Sequence, residues 1–148
     1  MNGTFTYSNP TRLHFGPDSL QSLSDELKLY GPSVLLTYGR QSIKSSGLYD
    51  KIITILQAAG KTITEDPGVM PNPTVEKLAE GVQRARACKA DLILAVGGGS
   101  VCDYAKAVSV ATHCPDDAWE KYYVRMEPLD NPVIPVGCVL TMAGTGSE

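Results

Sequence analysis

A chain of 148 residues is the size of one domain and is long enough to bury a core. Apolar residues make up 43% and charged residues 20%, the balance of an ordinary globular protein. The net charge is −3, and the 13 basic residues form no run, which argues against nucleic acid as a partner. No apolar stretch reaches the ~20 residues that span a bilayer, and Met1–Ser8 is polar with no signal-peptide core. The expected location is cytoplasmic. Cys88, Cys102, Cys114 and Cys138 include no C-x-x-C pair, so neither zinc, redox work nor disulfides are expected of them. Cys102 and Cys138 sit among apolar neighbours and read as small hydrophobes.

After an extended opening at Thr11–Phe15, a first helix is expected, capped by Asp18 with Gln21 completing a capping box. Leu20, Leu23 and Leu27 fall at helical spacing, and Gly31 stops it. Val34–Tyr38 is a short apolar run that reads as a buried parallel strand. A second helix covers Gly47–Ala59, with Leu48, Ile52, Ile55, Leu56 and Ala59 on one face and Gly60 closing it. Lys61–Glu65 alternates as a short strand does. Asn72-Pro73 marks another helix start, with Asn72 as cap and Pro73 at the first helical position. Its buried side is expected to be Val75, Leu78, Ala79 and Val82.

Asp91–Val96 is the clearest strand and runs straight into three glycines. A helix follows through Val101, Ala105, Val108 and Ala111, and Val133–Leu140 forms a last strand. Strands alternating with helices across short loops imply an α/β fold: a Rossmann-like parallel sheet with helices on both faces. Residues 1–148 read as one such domain.

Ligands of open parallel sheets bind outside the carboxyl ends of the strands. The loop Gly97-Gly98-Gly99-Ser100 lies between a strand and a helix start, where backbone can approach a ligand and unpaired N–H groups meet the positive end of the helix dipole. That suits a pyrophosphate, with Ser100 adding a hydroxyl. Cys102 stands at the third glycine position of G-x-G-x-x-G, and the loop follows the third strand, so the ordinary dinucleotide fingerprint fits poorly. Asp103 either complements the helix dipole or faces a neutral part of a cofactor. Thr141 with Thr145-Gly146-Ser147 would form a second wall of the same site. In Gly39-Arg40-Gln41-Ser42 no acid follows the strand until Asp50, so Arg40 and Ser42 are free to meet a phosphate, although a solvated Arg40 reads equally well. His14 and His113 share no ligand spacing, and no catalytic dyad or triad stands out.

Five motifs in order carry a family resemblance: Thr11-Arg12-Leu13-His14-Phe15-Gly16, Tyr38–Lys44, Pro71-Asn72-Pro73, Ala95–Asp103 and Thr141–Glu148. Together they resemble the iron-containing alcohol dehydrogenases, closest to the NADP-dependent butanol dehydrogenase and aldehyde reductase branch. The resemblance implies the N-terminal cofactor domain of the dehydroquinate synthase-like architecture. It implies that Gly97, Gly98, Gly99 and Ser100 hold a pyrophosphate and that Asp103 lies near the nicotinamide. Thr141 and Thr145 would then flank the cofactor, Gly39, Arg40 and Ser42 receive the adenosine 2′-phosphate of NADP (or the ribose of NAD), and Asn72 borders the cleft. Arg40 stands where the branch commonly shows glycine.

The resemblance further implies a helical domain holding a divalent metal, iron or zinc, on one Asp and three His that lie beyond the Gly-Thr-Gly-Ser-Glu block. That domain is expected to be absent from these residues, which would not turn over an alcohol or aldehyde alone. A homodimer is one arrangement the resemblance leaves open. The competing readings are a non-catalytic nucleotide-binding module and a relative of glycerol dehydrogenase or dehydroquinate synthase.

Overall fold

Three apolar runs and one alternating segment become four strands in the computed structural model, which describes residues 3–147. Met1, Asn2 and Glu148 lie outside the described residues, so the polar Met1–Ser8 reading and the end of the Thr141–Glu148 motif are covered only in part. In chain order the elements are α1 (Leu23–Glu26), β1 (Ser33–Tyr38), α2 (Ser42–Ser45), α3 (Leu48–Ala58) and β2 (Thr62–Asp66). Then come α4 (Val75–Cys88), β3 (Leu92–Gly97), α5 (Gly99–Thr112) and β4 (Val136–Leu140). A wide π-helical turn, Trp119–Val124, precedes β4.

The strands are all parallel and lie in the order β2-β1-β3-β4. Parallel strands require crossovers, and helices supply them on both faces. Strand alternation sends Val34, Leu36 and Tyr38 of β1 with Leu92, Leu94 and Val96 of β3 toward Ile52 and Leu56 of α3. Leu35, Ile93 and Ala95 point the other way, onto Leu78 and Ala85 of α4 and a run of α5 residues from Val101 to Ala111. The expected Rossmann-like arrangement is therefore the one found. β3, paired on both sides, is buried along its whole length.

Three local expectations need correction. The first helix is broken into a 3-10 turn, the single α-turn α1 and a second 3-10 turn ending at Leu29. Asp18 does not cap it: the Gln21 amide donates to the Asp18 carboxylate at 3.2 Å, so the two side chains satisfy each other and not the backbone. Asn72 does not cap α4 either. It takes a left-handed conformation (φ 53°) in the connecting loop, and Thr74 is the cap, accepting from the Lys77 amide at 3.3 Å. Moving the start to Val75 leaves Val75 and Ala79 exposed, and Lys77, Leu78, Gly81 and Ala85 become the buried side.

Candidate functional site

From β1 the chain crosses to β2 on one side, and from β3 it goes on to β4 on the other. The sheet's topological switch therefore lies between β1 and β3, and open parallel sheets bind ligands outside the carboxyl ends at that point. Tyr38 pairs with Val96 and Gly97 with Leu140, so Gly39, the glycine loop and Thr141 continue from one edge. The Thr141 amide donates to the Gly97 carbonyl at 2.9 Å, carrying the β3–β4 ladder into the loops. The loop after β2 closes the other flank: the Gly68 amide donates to Gly39 O (3.0 Å) and the Val69 amide to Tyr38 O (3.1 Å).

The three consecutive glycines differ in what excludes a side chain. A Cβ at Gly97 would stand 2.6 Å from Val101 Cγ2, and one at Gly99 would stand 2.6 Å from Thr145 Oγ1. Both glycines are thus required by the protein's own packing. Gly98 is different, because its nearest neighbour in that direction is Met142 Cβ at 4.0 Å. It also has an extended backbone (φ −86°, ψ −170°) that any residue adopts. Neither packing nor conformation demands glycine there, and the space beside its backbone is open. Gly98 is the cap of α5, so this space adjoins the first helical N–H groups, which have no partner inside the helix.

Asp103 is exposed and one turn further along than the sequence suggested. With α5 starting at Gly99, no acidic residue falls in its first turn, and the positive end carries no opposing carboxylate. Ser100 is half-buried within that first turn. Thr145 folds over Gly99, which joins the last loop to the glycine loop. Thr141 and Thr145 are both exposed. At the β1 end Gly39 is half-buried, Arg40 is exposed, and Ser42 opens the single turn of α2. Asn72 is exposed in the loop leading to α4. The next residues, Pro73 and Thr74, share a groove of about 180 Å³ with Asp103, Tyr104, Trp119 and Tyr123. Trp119 and Tyr123 stack there with ring centroids 5.1 Å apart.

Two polar clusters were not anticipated. Asp66, the last residue of β2, is fully buried; it accepts from Lys77 Nζ at 2.7 Å and from the Tyr104 hydroxyl at 2.6 Å, with Arg84 Nε 3.4 Å away. Burial, then the Asp66 carboxylate, pushes the Tyr104 hydroxyl far up from its ordinary value, so it stays a donor. On the opposite face Glu65 accepts from the hydroxyls of Tyr38 and Tyr49, and Lys44 lies over both rings. The Tyr38 hydrogen bond holds the Glu65 carboxyl below its ordinary range against an opposing desolvation. The first cluster had one visible signal, Gly81 within an otherwise regular helix pattern. A Cβ there would collide with the Tyr104 hydroxyl. The Cys102 thiol is raised by its hydrogen bond with Cys138 and by burial, which makes it inert.

Residues 10–148 match the family described as "Iron-containing alcohol dehydrogenase". The chain belongs to that family. It is 48% identical over 144 residues to "Probable NADH-dependent butanol dehydrogenase 1" of Bacillus subtilis, an alignment covering 97% of this chain and 37% of the relative. It is 36% identical over 146 residues to the "NADPH-dependent aldehyde reductase YqhD" of Escherichia coli, covering 97% and 37%. The crystal structure of NADH-dependent butanol dehydrogenase A from Thermotoga maritima superposes with a TM-score of 0.89 at 35% identity, covering 97% of this chain and 36% of that one. The chain thus spans a little over a third of the length of these family members. Among the described residues no three His, Cys, Asp or Glu side chains gather as a metal-holding group, and no helix is long and apolar enough to cross a membrane.

Proposed function

We propose that residues 1–148 form the cofactor domain of an alcohol dehydrogenase or aldehyde reductase and hold NADP(H) at the glycine loop. The observation that carries this reading is Gly98, whose side-chain direction is open at a helix N-terminus beside the topological switch. A pyrophosphate fits that opening, with the first amides of α5 and the Ser100 hydroxyl as donors and the helix dipole favouring its charge. Thr145, packed on Gly99, and Thr141 wall the cofactor on the β4 side. Asp103, a turn away from the dipole's positive end, takes the nicotinamide side. Bound there, the cofactor supplies or accepts the hydride exchanged with an alcohol carbon. The residues of this chain bind and orient. The iron or zinc expected of the family is assigned to a further helical domain within the relatives' additional length.

NADP(H) is preferred on this reading because Gly39, Arg40, Gln41 and Ser42 present no carboxylate to repel a 2′-phosphate. Arg40 has no ion pair among the described residues and is left to meet one. The relatives' names divide on this point: the Escherichia coli reductase is named for NADPH and the Bacillus subtilis one for NADH. Trp119, the single tryptophan, shares its groove with Asp103 and serves as the reporter. Titration of its fluorescence is expected to give tighter binding of NADPH than NADH, with the difference lost in Arg40→Ala. Tighter NADH binding by the unaltered chain would overturn the preference. Gly98→Val is expected to abolish binding of both while leaving thermal unfolding unchanged; a Gly98→Val chain that still binds would remove the phosphate-cradle reading. Gly99→Val is the wrong test, since it clashes with Thr145 before any ligand arrives.

A further inference from the structure

We infer that Tyr104, anchored on the buried carboxylate of Asp66, is a positioning residue that sets the orientation of α5 and therefore the aim of the cofactor-holding amides at its start. The inference rests on the reading of Gly98–Ser100 as the cofactor cradle.

Burying a carboxylate is expensive, and an apolar group of similar volume would often stabilise the fold as well or better. Asp66 is nonetheless 0% exposed, with Lys77 at 7% beside it. What such a cluster supplies over an apolar contact is direction. Each oxygen of Asp66 is committed to a different element: Oδ1 to Lys77 in the first turn of α4, and Oδ2 to Tyr104 of α5. Lys77 Nζ also reaches Glu80 at 3.3 Å and lies 5.6 Å from the centre of the Tyr104 ring. The Tyr104 hydroxyl stands 3.1 Å from the Lys77 carbonyl, and the absence of a side chain at Gly81 makes room for it. One carboxylate at the carboxyl edge of β2 therefore ties the first turn of α4 to the second turn of α5.

The placement of Tyr104 along α5 gives this its functional direction. It lies four residues after Ser100 and one after Asp103, so it sits one turn below Ser100 on the same face. Holding that turn by a 2.6 Å bond to the sheet prevents rotation of the helix about its axis. An apolar contact would permit such rotation, and the amides above it would turn with the helix. Small displacements of donors are costly where a ligand is bound by geometry. α5 has a second buried anchor, the Ser109 hydroxyl donating to the Ile134 carbonyl, but it lies about one and a half turns deeper and away from the loop.

That second anchor supplies the control. Tyr104→Phe and Ser109→Ala each remove one buried hydrogen bond from α5, and both chains are compared with the parent by calorimetric titration of NADPH and NADH. Amide NMR shifts of Gly98–Val101 are recorded in parallel without ligand. Both variants are expected to unfold a few degrees lower. Tyr104→Phe alone is expected to bind both dinucleotides about tenfold more weakly, and to move the Gly98–Val101 amide signals. A purely structural role predicts that both variants keep the parent's affinity, whatever each loses in stability. Parent-like affinity and unmoved amides in Tyr104→Phe would overturn the inference, as would an equal loss of affinity in Ser109→Ala. If the parent binds neither dinucleotide, the cofactor reading falls by itself, and the amide signals alone decide whether Tyr104 aims the loop.

Discussion

The two faces of the sheet are built on different principles. Toward α3 the interior is apolar, with Val34, Leu36, Leu92, Leu94 and Val96 against Ile52 and Leu56, and its polar groups (Glu65, Tyr38, Tyr49) gather at the rim. Toward α4 and α5 the same sheet carries a buried carboxylate, a nearly buried lysine and Thr37, whose hydroxyl has no hydrogen-bond partner among the described residues. Thr37 is the register partner of Asp66, so the polar groups cluster on one patch. The first face is held by area, which is forgiving of small shifts. The second has its own apolar core and adds directed polar contacts to it, and it is the one that carries the helix bearing the glycine loop.

That contrast can be tested by what each face loses. Lys77→Met leaves the Asp66 carboxylate in the interior with the Tyr104 hydroxyl as donor and only the half-exposed Arg84 as a cation, and is expected to cost about 4 kcal/mol in a urea titration. A cost below that of a core truncation would mean that the patch is less buried than it stands here. Leu56→Ala, on the apolar face, is expected to cost about 3 kcal/mol from lost transfer energy and the cavity left behind. Its cofactor affinity should be unchanged, because no polar geometry is disturbed. Thr37→Val should raise stability by about 1 kcal/mol, since it removes a buried hydroxyl that nothing satisfies. A loss in that variant would reveal a bridging water between Thr37 and Asp66.

The smallest effect belongs to the rim of the apolar face and depends on pH. Glu65 has a lowered pKa, chiefly from the Tyr38 hydroxyl and further from Tyr49 and Lys44. A carboxyl held low in the folded state contributes stability above its unfolded pKa, about 4.3, and loses it as the pH falls through the lower folded value. Glu65→Gln is therefore expected to flatten the acid limb of the stability curve below about pH 4.3 and leave its slope near neutrality alone. An unchanged acid limb, followed by circular dichroism, would show that Glu65 gains nothing from its tyrosines.

The strands and the loops at their ends were legible because their signals are local. Asp91–Val96 is a single apolar run stopped by glycines, and a strand must end there in any fold. One cap was misplaced for a reason that is also local: Asn72 and Thr74 both suit a cap, and the left-handed φ of Asn72 settles the choice. The meaning of the three glycines was legible only in sum. Which one faces open space depends on Val101 and Thr145, and Thr145 is nearly fifty residues away. The Asp66 cluster was invisible because it joins residues 38 apart in the chain, none of which is unusual where it stands. A glycine within the helix that follows β2 was its only trace.

β3 has a consequence for time as well as for shape. Hydrogen-bonded on both sides and buried from Leu92 to Gly97, it can release its amides to solvent only when the whole domain opens. The glycine loop hangs from the end of this slowest element, while Thr141–Thr145 across from it is exposed and irregular. Any molecule gripped between the two meets one jaw that is already set and one that must settle. Its arrival should register as slowed hydrogen exchange in the second jaw and at the unpaired amides that open α5, with almost no change within β3.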